Sequence, residues 1–327
     1  MKEVYIGVDV GGMSIKAGLV DLEGNILHKD VIKTKCATLG KESFLEDVKA
    51  LLLKLTGYAA SNGLDVKAIG FGIPGAIDST RGIIDYACNL NIEDVHVVEY
   101  LKTLGLPVFI SNDANVATLG EVRFGAAKGY HDAILLTLGT GIGGGVVIND
   151  KLFEGKDGKG TELGHAVIVV DGNQCNCGRK GCYETYASAT ALLKLTKDEM
   201  MNNKESMMWE YAGGDLEKVN GLTSFECAKK GDESANKVVD TYVKYLSEGI
   251  LNYCNIFRPE VILIGGGVSN QEDYLINKIK KYCADRNYGY KNTPIVEIKV
   301  AGLKNEAGII GAAALAMDKV AYKAIAK

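Results

Sequence analysis

A chain of 327 residues, of which 47% are hydrophobic, can bury a sizeable core, and we expect it to form two domains. Its net charge of −4 gives no electrostatic footprint for nucleic acid or for an acidic membrane surface, so we expect neither as a partner. The N-terminal sequence enters a strand directly and no apolar run is long enough to span a membrane, which predicts a cytoplasmic protein without a signal peptide.

The chain opens with three β-branched runs separated by turns, which predict three antiparallel strands. These runs are residues 3–10, 15–20 and 26–33. A similar unit recurs later in the chain, with a glycine-rich turn at 139–145 between its first two runs. Its runs are residues 134–139, 146–148 and 152–155. This internal repeat predicts two similar domains, the alternative being a chance resemblance between hairpins.

Strands and helices alternate elsewhere, which places the chain in the α/β class. Ser43 and Glu46 form a capping box, and apolar residues recur at helical spacing from there to Gly63. The remaining predicted elements are strands ending near 75 and over 107–110, a helix after residue 113, a helix over about 232–257, a strand over 261–267 and a helix over 306–323. We predict an N-terminal domain over 1–117, completed by a C-terminal helix at about 305–327, and a second domain over 118–304 that contains the loop described next.

Histidine and cysteine residues of one short segment have the composition and spacing of a metal site. They are His165, Cys175, Cys177 and Cys182, which match the ligands of a closed tetrahedral Cys₃His zinc site. The alternatives are a surface loop with coincidental cysteines and a disulfide, although the single residue between Cys175 and Cys177 disfavours a bond between those two. The other cysteines are scattered and are expected to be reduced and mostly buried: Cys36, Cys88, Cys227, Cys254 and Cys283.

Three glycine clusters follow apolar strands and are candidate phosphate-binding loops, because glycine lets backbone N–H groups approach an anion closely. They lie at residues 9–14, 138–145 and 265–268. Any one of them alone is weak evidence, since a glycine after a strand is most often a turn. The first cluster has neither the GxGxxG pattern nor the GxxxxGK[ST] pattern, which argues against a Rossmann dinucleotide site and against a P-loop.

Two aspartates at the ends of predicted strands are candidate functional residues. Asp9 lies beside a glycine pair, and a carboxylate that faces phosphate needs a cation between them, so it is a candidate for holding the hydrated Mg²⁺ of a nucleotide. Its alternative role is to cap a strand end. Asp113 opens a helix, and its simplest interpretation is a helix N-cap. The alternative is that Asn112 and Asp113 both point into a cleft, one to bind a hydroxyl group and the other to remove its proton.

Taken together, these motifs resemble the ROK sugar kinases of the actin/hexokinase/Hsp70 superfamily, and most closely the glucokinase-like branch, over nearly the whole chain. The most specific markers are the ExGH motif and the CxCGxxGCxE motif that follows it. The segments that carry the resemblance are DVGGMSIKAG (9–18), GIPGAID (72–78), SNDANVATLGE (111–121), LGTGIGGG (138–145), ELGH (162–165), CNCGRKGCYE (175–184) and IGGGVS (264–269).

The resemblance implies an α/β fold of two similar actin-like, ribonuclease-H-like domains, each with a mixed sheet flanked by helices, and an active site in the interdomain cleft. It implies ATP-dependent phosphorylation of a hexose, with glucose as the preferred sugar and glucose 6-phosphate as the product. The implied cofactors are ATP, Mg²⁺ and a structural Zn²⁺. The implied assembly is a homo-oligomer, either a dimer or a tetramer.

The resemblance also implies a role for each motif residue. Asp113 would be the general base that takes the proton of the sugar hydroxyl. The residues implied to line the sugar site are Gly75, Asn112, Asp113, Glu162, His165 and Glu184, with His165 also a zinc ligand beside Cys175, Cys177 and Cys182. The residues implied to bind the nucleotide are Asp9, Gly11, Gly12 and Ser14 in the first loop, Gly139, Thr140, Gly141, Gly143 and Gly144 in the second, and Gly265, Gly266 and Gly267 beside the adenosine.

Two positions depart from the family pattern. Met13 replaces a threonine that the first loop usually carries, and Ile92 stands where a tryptophan is common. The second departure leaves an N-acetylhexosamine, notably N-acetylmannosamine, as the alternative substrate, since a smaller residue can open an apolar recess. A sugar-responsive repressor of the same family is a further alternative, but we disfavour it because that branch carries an additional N-terminal helix-turn-helix domain.

Overall fold

The computed structural model of the chain describes residues 1–325. These residues form two compact units. The first unit contains Met1–Leu135, Gly145–Thr161 and the chain from Gly302 onward, and the second contains Leu136–Gly144 and Glu162–Ala301. The predicted domain boundary after residue 117 lies inside a helix of the first unit, and as a statement about domains it stays a prediction.

Runs of strands alternate with helices along the chain, which is typical of the α/β class. The strands are β1 (Lys2–Val10), β2 (Ser14–Asp21), β3 (Ile26–Lys33), β4 (Leu64–Ile73), β5 (Ala76–Asp78), β6 (Ile83–Ala87), β7 (Ile92–Val95), β8 (Val108–Asn112), β9 (Ala133–Leu138), β10 (Ile142–Ile148), β11 (Lys151–Phe153), β12 (Val261–Gly265) and β13 (Glu297–Val300). The helices are α1 (Cys36–Ser61), α2 (Val97–Leu101), α3 (Asp113–Phe124), α4 (Glu184–Ala187), α5 (Ala189–Asn202), α6 (Met207–Tyr211), α7 (Thr223–Lys229), α8 (Glu233–Phe257), α9 (Glu272–Cys283) and α10 (Ala307–Ile325).

The two five-stranded sheets have the same strand order. One is ordered β3-β2-β1-β4-β8 and the other β11-β10-β9-β12-β13, so each begins with an antiparallel hairpin pair and continues into later strands. In the first sheet β1 and β2 are antiparallel, whereas β1 and β4 are parallel, which makes the sheet mixed. A separate antiparallel sheet contains β5, β6 and β7. The repeated order agrees with the duplication that the sequence predicted.

Apolar spacing in the sequence accounts for the main core of the first unit. Buried side chains of α1, among them Phe44, Val48 and Leu52, belong to one apolar core with buried residues of β1 and β4. The predicted capping box is wrong, however. The helix is interrupted at Gly40, where φ is 82°, and Ser43 lies inside the helical segment that follows rather than at its start.

The glycine-rich turn predicted over 139–145 is also shorter than expected. The turn ends at Gly141 because β10 begins at Ile142, so three glycines lie in a strand. One of them, Gly144, packs so closely against Leu163 that a Cβ atom there would lie 2.7 Å from the leucine side chain. These glycines therefore permit close packing within the sheet as well as a turn.

The C-terminal helix α10 packs against β1 and β4 of the first sheet. Gly7 and Gly70 make this possible, because a Cβ atom at either position would overlap a backbone carbonyl of the helix. The contact brings the start of α10 to the end of β1.

Among the described residues, no helix combines the length and the apolar character that a bilayer crossing requires.

Candidate active site and metal centre

Asp9 lies near the end of β1, directly opposite Lys16 of β2 in the strand register. The Lys16 Nζ atom is 3.4 Å from Asp9 Oδ2. On its other side, Asp9 faces the first turn of α10, where a Cβ atom at Gly308 would lie 2.5 Å from Asp9 Cγ. Burial raises the pKa of Asp9 above its ordinary value, the Glu306 carboxylate raises it further, and Lys16 opposes the rise. A bound divalent cation would stabilise the charged form of such a carboxylate, because its positive charge compensates for the lost hydration.

The hairpin turn between β1 and β2 is closed by a hydrogen bond of 2.9 Å from the Gly11 N–H to the Ser14 carbonyl. Thr34 supports the turn, because its hydroxyl donates to the Gly11 carbonyl at 2.6 Å and its N–H donates to the Met13 carbonyl at 3.1 Å. The Met13 side chain is 89% exposed. The residue that departs from the family pattern therefore points into solvent, and the Thr34 hydroxyl is engaged in holding the Gly11 carbonyl of the turn.

Asn112, and not Asp113, is the N-cap of α3. Its Oδ1 atom accepts hydrogen bonds from the N–H groups of Ala114 at 2.9 Å and Asn115 at 3.4 Å. Its Nδ2 atom donates to the Gly75 carbonyl at 3.3 Å, which brings these two predicted sugar-site residues together. Asp113 is the first residue of the helix, and the cap interpretation of this residue is corrected. Both ends of the Asn112 amide have protein partners, so its side chain already holds the loop at Gly75 in place.

In the second unit, the four predicted metal ligands form one cluster. The donor atoms of His165, Cys175, Cys177 and Cys182 all lie within 4.8 Å of one another. The sulfur atoms of Cys177 and Cys182 are 3.6 Å apart, and Cys175 Sγ is 3.6 Å from His165 Nδ1. A tetrahedral zinc ion with bonds of about 2.0–2.3 Å requires separations of about 3.6–3.8 Å between neighbouring donors. The donor set and these two separations fit zinc, and the donors that lie up to 4.8 Å apart would move closer by about 1 Å around the ion.

The thiols of this cluster have different electrostatic environments. Burial raises the pKa of Cys175 and of Cys182 above the ordinary value for a thiol. The backbone N–H of Arg179 instead lowers the pKa of Cys177, because it stabilises the thiolate. Two thiols that burial keeps protonated are poor ligands by themselves, and a bound cation would be needed to deprotonate them.

Glu184 connects this cluster with the second glycine loop. Its Oε1 atom accepts a hydrogen bond from Cys175 Sγ at 3.0 Å and lies 3.5 Å from His165 Nδ1. Its Oε2 atom accepts from the backbone N–H of Ile142 at 3.4 Å, and it occupies the space that a side chain at Gly141 would need. The Nδ1 edge of the His165 ring therefore faces the cluster, and Nε2 lies on its opposite edge.

Glu162 precedes the short 3₁₀ turn Leu163–His165 and is exposed at its surface. Nearby protein atoms nevertheless desolvate its carboxyl group and raise its pKa, and the Glu184 carboxylate raises the pKa further while His165 opposes the rise. The second unit thus brings together three predicted sugar-site residues, Glu162, His165 and Glu184. Their combination of carboxylates and an imidazole can accept hydrogen bonds from several adjacent hydroxyl groups.

The second and third glycine clusters also meet in the second unit. Gly266, with φ of 81°, packs against the backbone of Leu138 immediately before the 139–141 turn. The Gly139 carbonyl accepts a hydrogen bond from the Ala189 N–H at 2.9 Å, at the start of α5. Two candidate nucleotide loops are therefore neighbours.

Ile92 is a core residue of the first unit. Its side chain is 4% exposed and belongs to the main apolar core of the first unit, where Leu90 and Val95 are also buried. The apolar recess expected from the smaller side chain at this position stays a prediction.

The sequence did not identify Lys16 as a partner of Asp9. The signal was available, since a tight turn at residues 11–13 places residue 16 opposite residue 9 in an antiparallel pair. The contacts of Glu184 with Ile142 and Gly141 could not be found in this way, because they join segments that are about forty residues apart in the chain.

The family model of the ROK family matches residues 5–319. A glucokinase from Thermotoga maritima is 37% identical over 322 residues, which cover 96% of this chain and 98% of the relative. Two of the similar solved structures illustrate the match. A ROK family glucokinase from Streptomyces griseus, in complex with glucose and AMPPNP, has 34% identity and a TM-score of 0.80 over 96% of this chain and 99% of that one. A ROK hexokinase from Thermus thermophilus has 30% identity and a TM-score of 0.81 over 98% and 99% of the two chains. The fold class predicted from the sequence is confirmed, and this chain belongs to the ROK family.

Proposed function

We propose that this protein is an ATP-dependent hexokinase that transfers the γ-phosphoryl group of ATP to the 6-hydroxyl of glucose. The observation that carries the proposal is the cluster of Glu162, His165 and Glu184 beside the glycine turn at 139–141. The near full-length similarity to glucokinases, one of them solved with glucose and AMPPNP, supports the same reaction.

Asp113 is the proposed general base. As the 6-hydroxyl oxygen forms its bond to the γ-phosphorus, the Asp113 carboxylate takes the hydroxyl proton and the bond from phosphorus to the β,γ-bridging oxygen breaks, which releases ADP. Asn112 is the N-cap of the helix, and Asp113 Oδ1 also accepts a hydrogen bond from the Ala114 N–H at 2.9 Å. A positioned base of this kind contributes about 10²–10⁴-fold to the rate.

Sugar contacts are proposed for both units. In the first unit, Asn112 holds Gly75, and these residues would line the sugar together with Asp113. In the second unit, Glu162, Glu184 and the Nε2 edge of His165 would accept or donate hydrogen bonds to sugar hydroxyls. Phosphoryl transfer depends mainly on such positioning and on charge neutralisation.

The nucleotide is assigned to the glycine loops. The residues proposed to contact its phosphates are Asp9, Gly11, Gly12 and Ser14 in the first unit, and Gly139, Thr140, Gly141, Gly143 and Gly144 in the second. Gly265, Gly266 and Gly267 are proposed to lie beside the adenosine. Asp9 would hold the hydrated Mg²⁺, whose charge neutralises the phosphates when it is bound.

The Cys₃His cluster is proposed to be a structural zinc site. His165, Cys175, Cys177 and Cys182 would hold the ion, which when bound supplies fixed charge and a rigid cross-link between two segments. The bound ion would thereby fix the positions of His165 and Glu184 relative to each other. A cytoplasmic location, a homo-oligomeric assembly and the lack of nucleic-acid and membrane partners stay predictions.

An ADP-release assay across glucose, mannose, fructose, glucosamine, N-acetylglucosamine and N-acetylmannosamine tests the substrate. We expect the highest kcat/KM for glucose, and ³¹P-coupled NMR of the product should place the phosphate on the 6-oxygen. A higher kcat/KM for N-acetylmannosamine would overturn the sugar assignment but keep the kinase chemistry. No turnover of any hexose would overturn the proposed function and favour a binding protein.

A further inference from the structure

Three buried tyrosines in the second unit donate their hydroxyl groups to backbone carbonyls. Tyr183 donates to Leu246 at 2.6 Å, Tyr242 donates to Ala187 at 2.8 Å, and Tyr253 donates to Leu163. Tyr242 and Tyr253 lie on α8, and their side chains are 0% and 3% exposed. Of these acceptors, Leu163 lies in the turn that follows Glu162 and contains His165, whereas Ala187 ends the short helix that begins at Glu184.

Leu163 is held from two sides. Its side chain fills the space beside Gly144 of β10, where a Cβ atom would lie 2.7 Å away. Its carbonyl accepts the Tyr253 hydroxyl and also the Ala166 N–H at 3.2 Å, which closes the 3₁₀ turn. A short 3₁₀ turn has few internal hydrogen bonds. A hydrogen bond from outside the turn therefore contributes strongly to fixing its position.

The Tyr253 ring also meets the segment that follows the cysteine cluster. It packs edge-on against Tyr183 with ring centroids 6.0 Å apart and an interplanar angle of 69°. Tyr183 stands between Cys182 and Glu184 in the sequence. One side chain of α8 therefore contacts both segments that carry the candidate sugar ligands of this unit, through its hydroxyl and through its ring.

We propose that Tyr253 is a positioning residue that sets the affinity for the sugar by holding Glu162 and His165 relative to Glu184. The inference rests on the proposed function for its kinetic consequence. Without the hydroxyl, the Leu163 carbonyl keeps only its local bond, and the turn gains freedom to shift. A displacement of about 1 Å in a positioning element can cost as much as about 10²-fold in rate.

Tyr253→Phe removes the hydroxyl alone and keeps the ring against Tyr183. Tyr242→Phe is the matched control for stability and for exchange at 162–166, because it removes an equally buried hydroxyl donor from the same helix whose acceptor, Ala187, lies outside that turn. Each variant loses one neutral hydrogen bond, so both should be destabilised to a similar extent. The first measurement is hydrogen exchange of the amides at 162–166, which needs no substrate. The second is the KM for glucose and for ATP.

We expect faster exchange at 162–166 only in Tyr253→Phe, together with a glucose KM raised about five- to tenfold and an ATP KM within about twofold of the wild type. Equal exchange in the two variants, or an unchanged glucose KM in an active Tyr253→Phe protein, would overturn the inference. Wild-type protein that fails to phosphorylate any hexose counts against the proposed function instead, and the exchange measurement then still decides whether Tyr253 holds the turn.

Discussion

The carboxylate of Glu184 occupies the position that a side chain at Gly141 would take, so a candidate sugar ligand lies directly against the candidate phosphate loop. The same carboxylate accepts the Ile142 N–H and, through its other oxygen, the Cys175 thiol. The conformation of the glycine turn and the orientation of the Glu184 carboxylate are therefore linked by contact.

Gly141→Ala should displace this carboxylate, because the flexible end of Glu184 is the group that can give way. We expect a folded protein whose glucose KM rises about tenfold, because the sugar would lose one or two hydrogen bonds to the charged Glu184 carboxylate. Gly139→Ala is the matched control, since a Cβ atom there meets no other atom within 4 Å. An equal rise in glucose KM for both variants would show that general loop stiffness, and not contact with Glu184, controls sugar binding.

Much of the fold follows from local sequence patterns. The strands β1, β2 and β3 were predicted because β-branched runs and polar turns are short-range signals, and α8 was predicted from its helical spacing. The start of α1 was not, because Gly40 interrupts the helix before the apparent capping box at Ser43. A capping box is recognised by residue types, which do not reveal whether the chain is already helical.

The candidate site was predicted residue by residue, but its connections were not. Asn112 and Asp113 are both good cap residues and both accept the Ala114 N–H, and the backbone, which is extended at Asn112 and helical from Asp113, decides between them. The strand that begins at Ile142 runs through the glycine cluster, and Gly144 in it packs against Leu163, a contact that no local pattern reports. Tyr253 lies about ninety residues from its acceptor, so nothing near it in the sequence marks its contact.

Cys177→Ser should remove the metal. Purified wild-type protein should contain one zinc per chain by elemental analysis, and the variant should contain much less than one. Because a ligand that binds only the folded state stabilises it, we expect the melting temperature to fall by about 5 °C or more.

Cys88→Ser is the control, since Cys88 is also exposed but lies outside the cluster. It should keep its zinc and its stability. Wild-type protein without zinc, or a Cys177→Ser protein of full stability and activity, would contradict the structural role of the metal.

Asp113→Asn should lower kcat by about 10²-fold or more, because the amide has nearly the same shape but cannot take the proton. Glucose binding, measured by calorimetry, should remain within about threefold of the wild type if the role is proton transfer alone.

The companion variant Asn112→Ala should instead cost about 1 kcal/mol of stability, because it removes the helix cap. A fall in kcat of less than about tenfold in Asp113→Asn would mean that the base lies elsewhere.

Asp9 should make the free protein less stable as the pH rises. Burial raises the pKa of Asp9 in the folded state above 3.8, so the folded state binds the proton more tightly than the unfolded chain does. Stability linked to this group is therefore present below pH 3.8, is lost as the pH rises from there through the raised folded pKa, and stays reduced above it. Asp9→Asn removes the titrating carboxyl and should be more stable than the wild type near neutral pH.

Urea unfolding in buffer without nucleotide or divalent cations, from about pH 4 to about pH 7.5, measures this difference. We expect the stability gain of Asp9→Asn to be largest at neutral pH and to shrink toward pH 4.

Asp78→Asn is the contrasting variant, because the backbone N–H and the guanidinium of Arg81 lower the pKa of Asp78. Its carboxylate stabilises the folded state above pH 3.8 and loses that effect as the pH falls through the lowered folded pKa, so its removal should destabilise the protein at neutral pH. An Asp9→Asn protein that is less stable than the wild type at neutral pH would show that the ion pair with Lys16 outweighs the cost of burial.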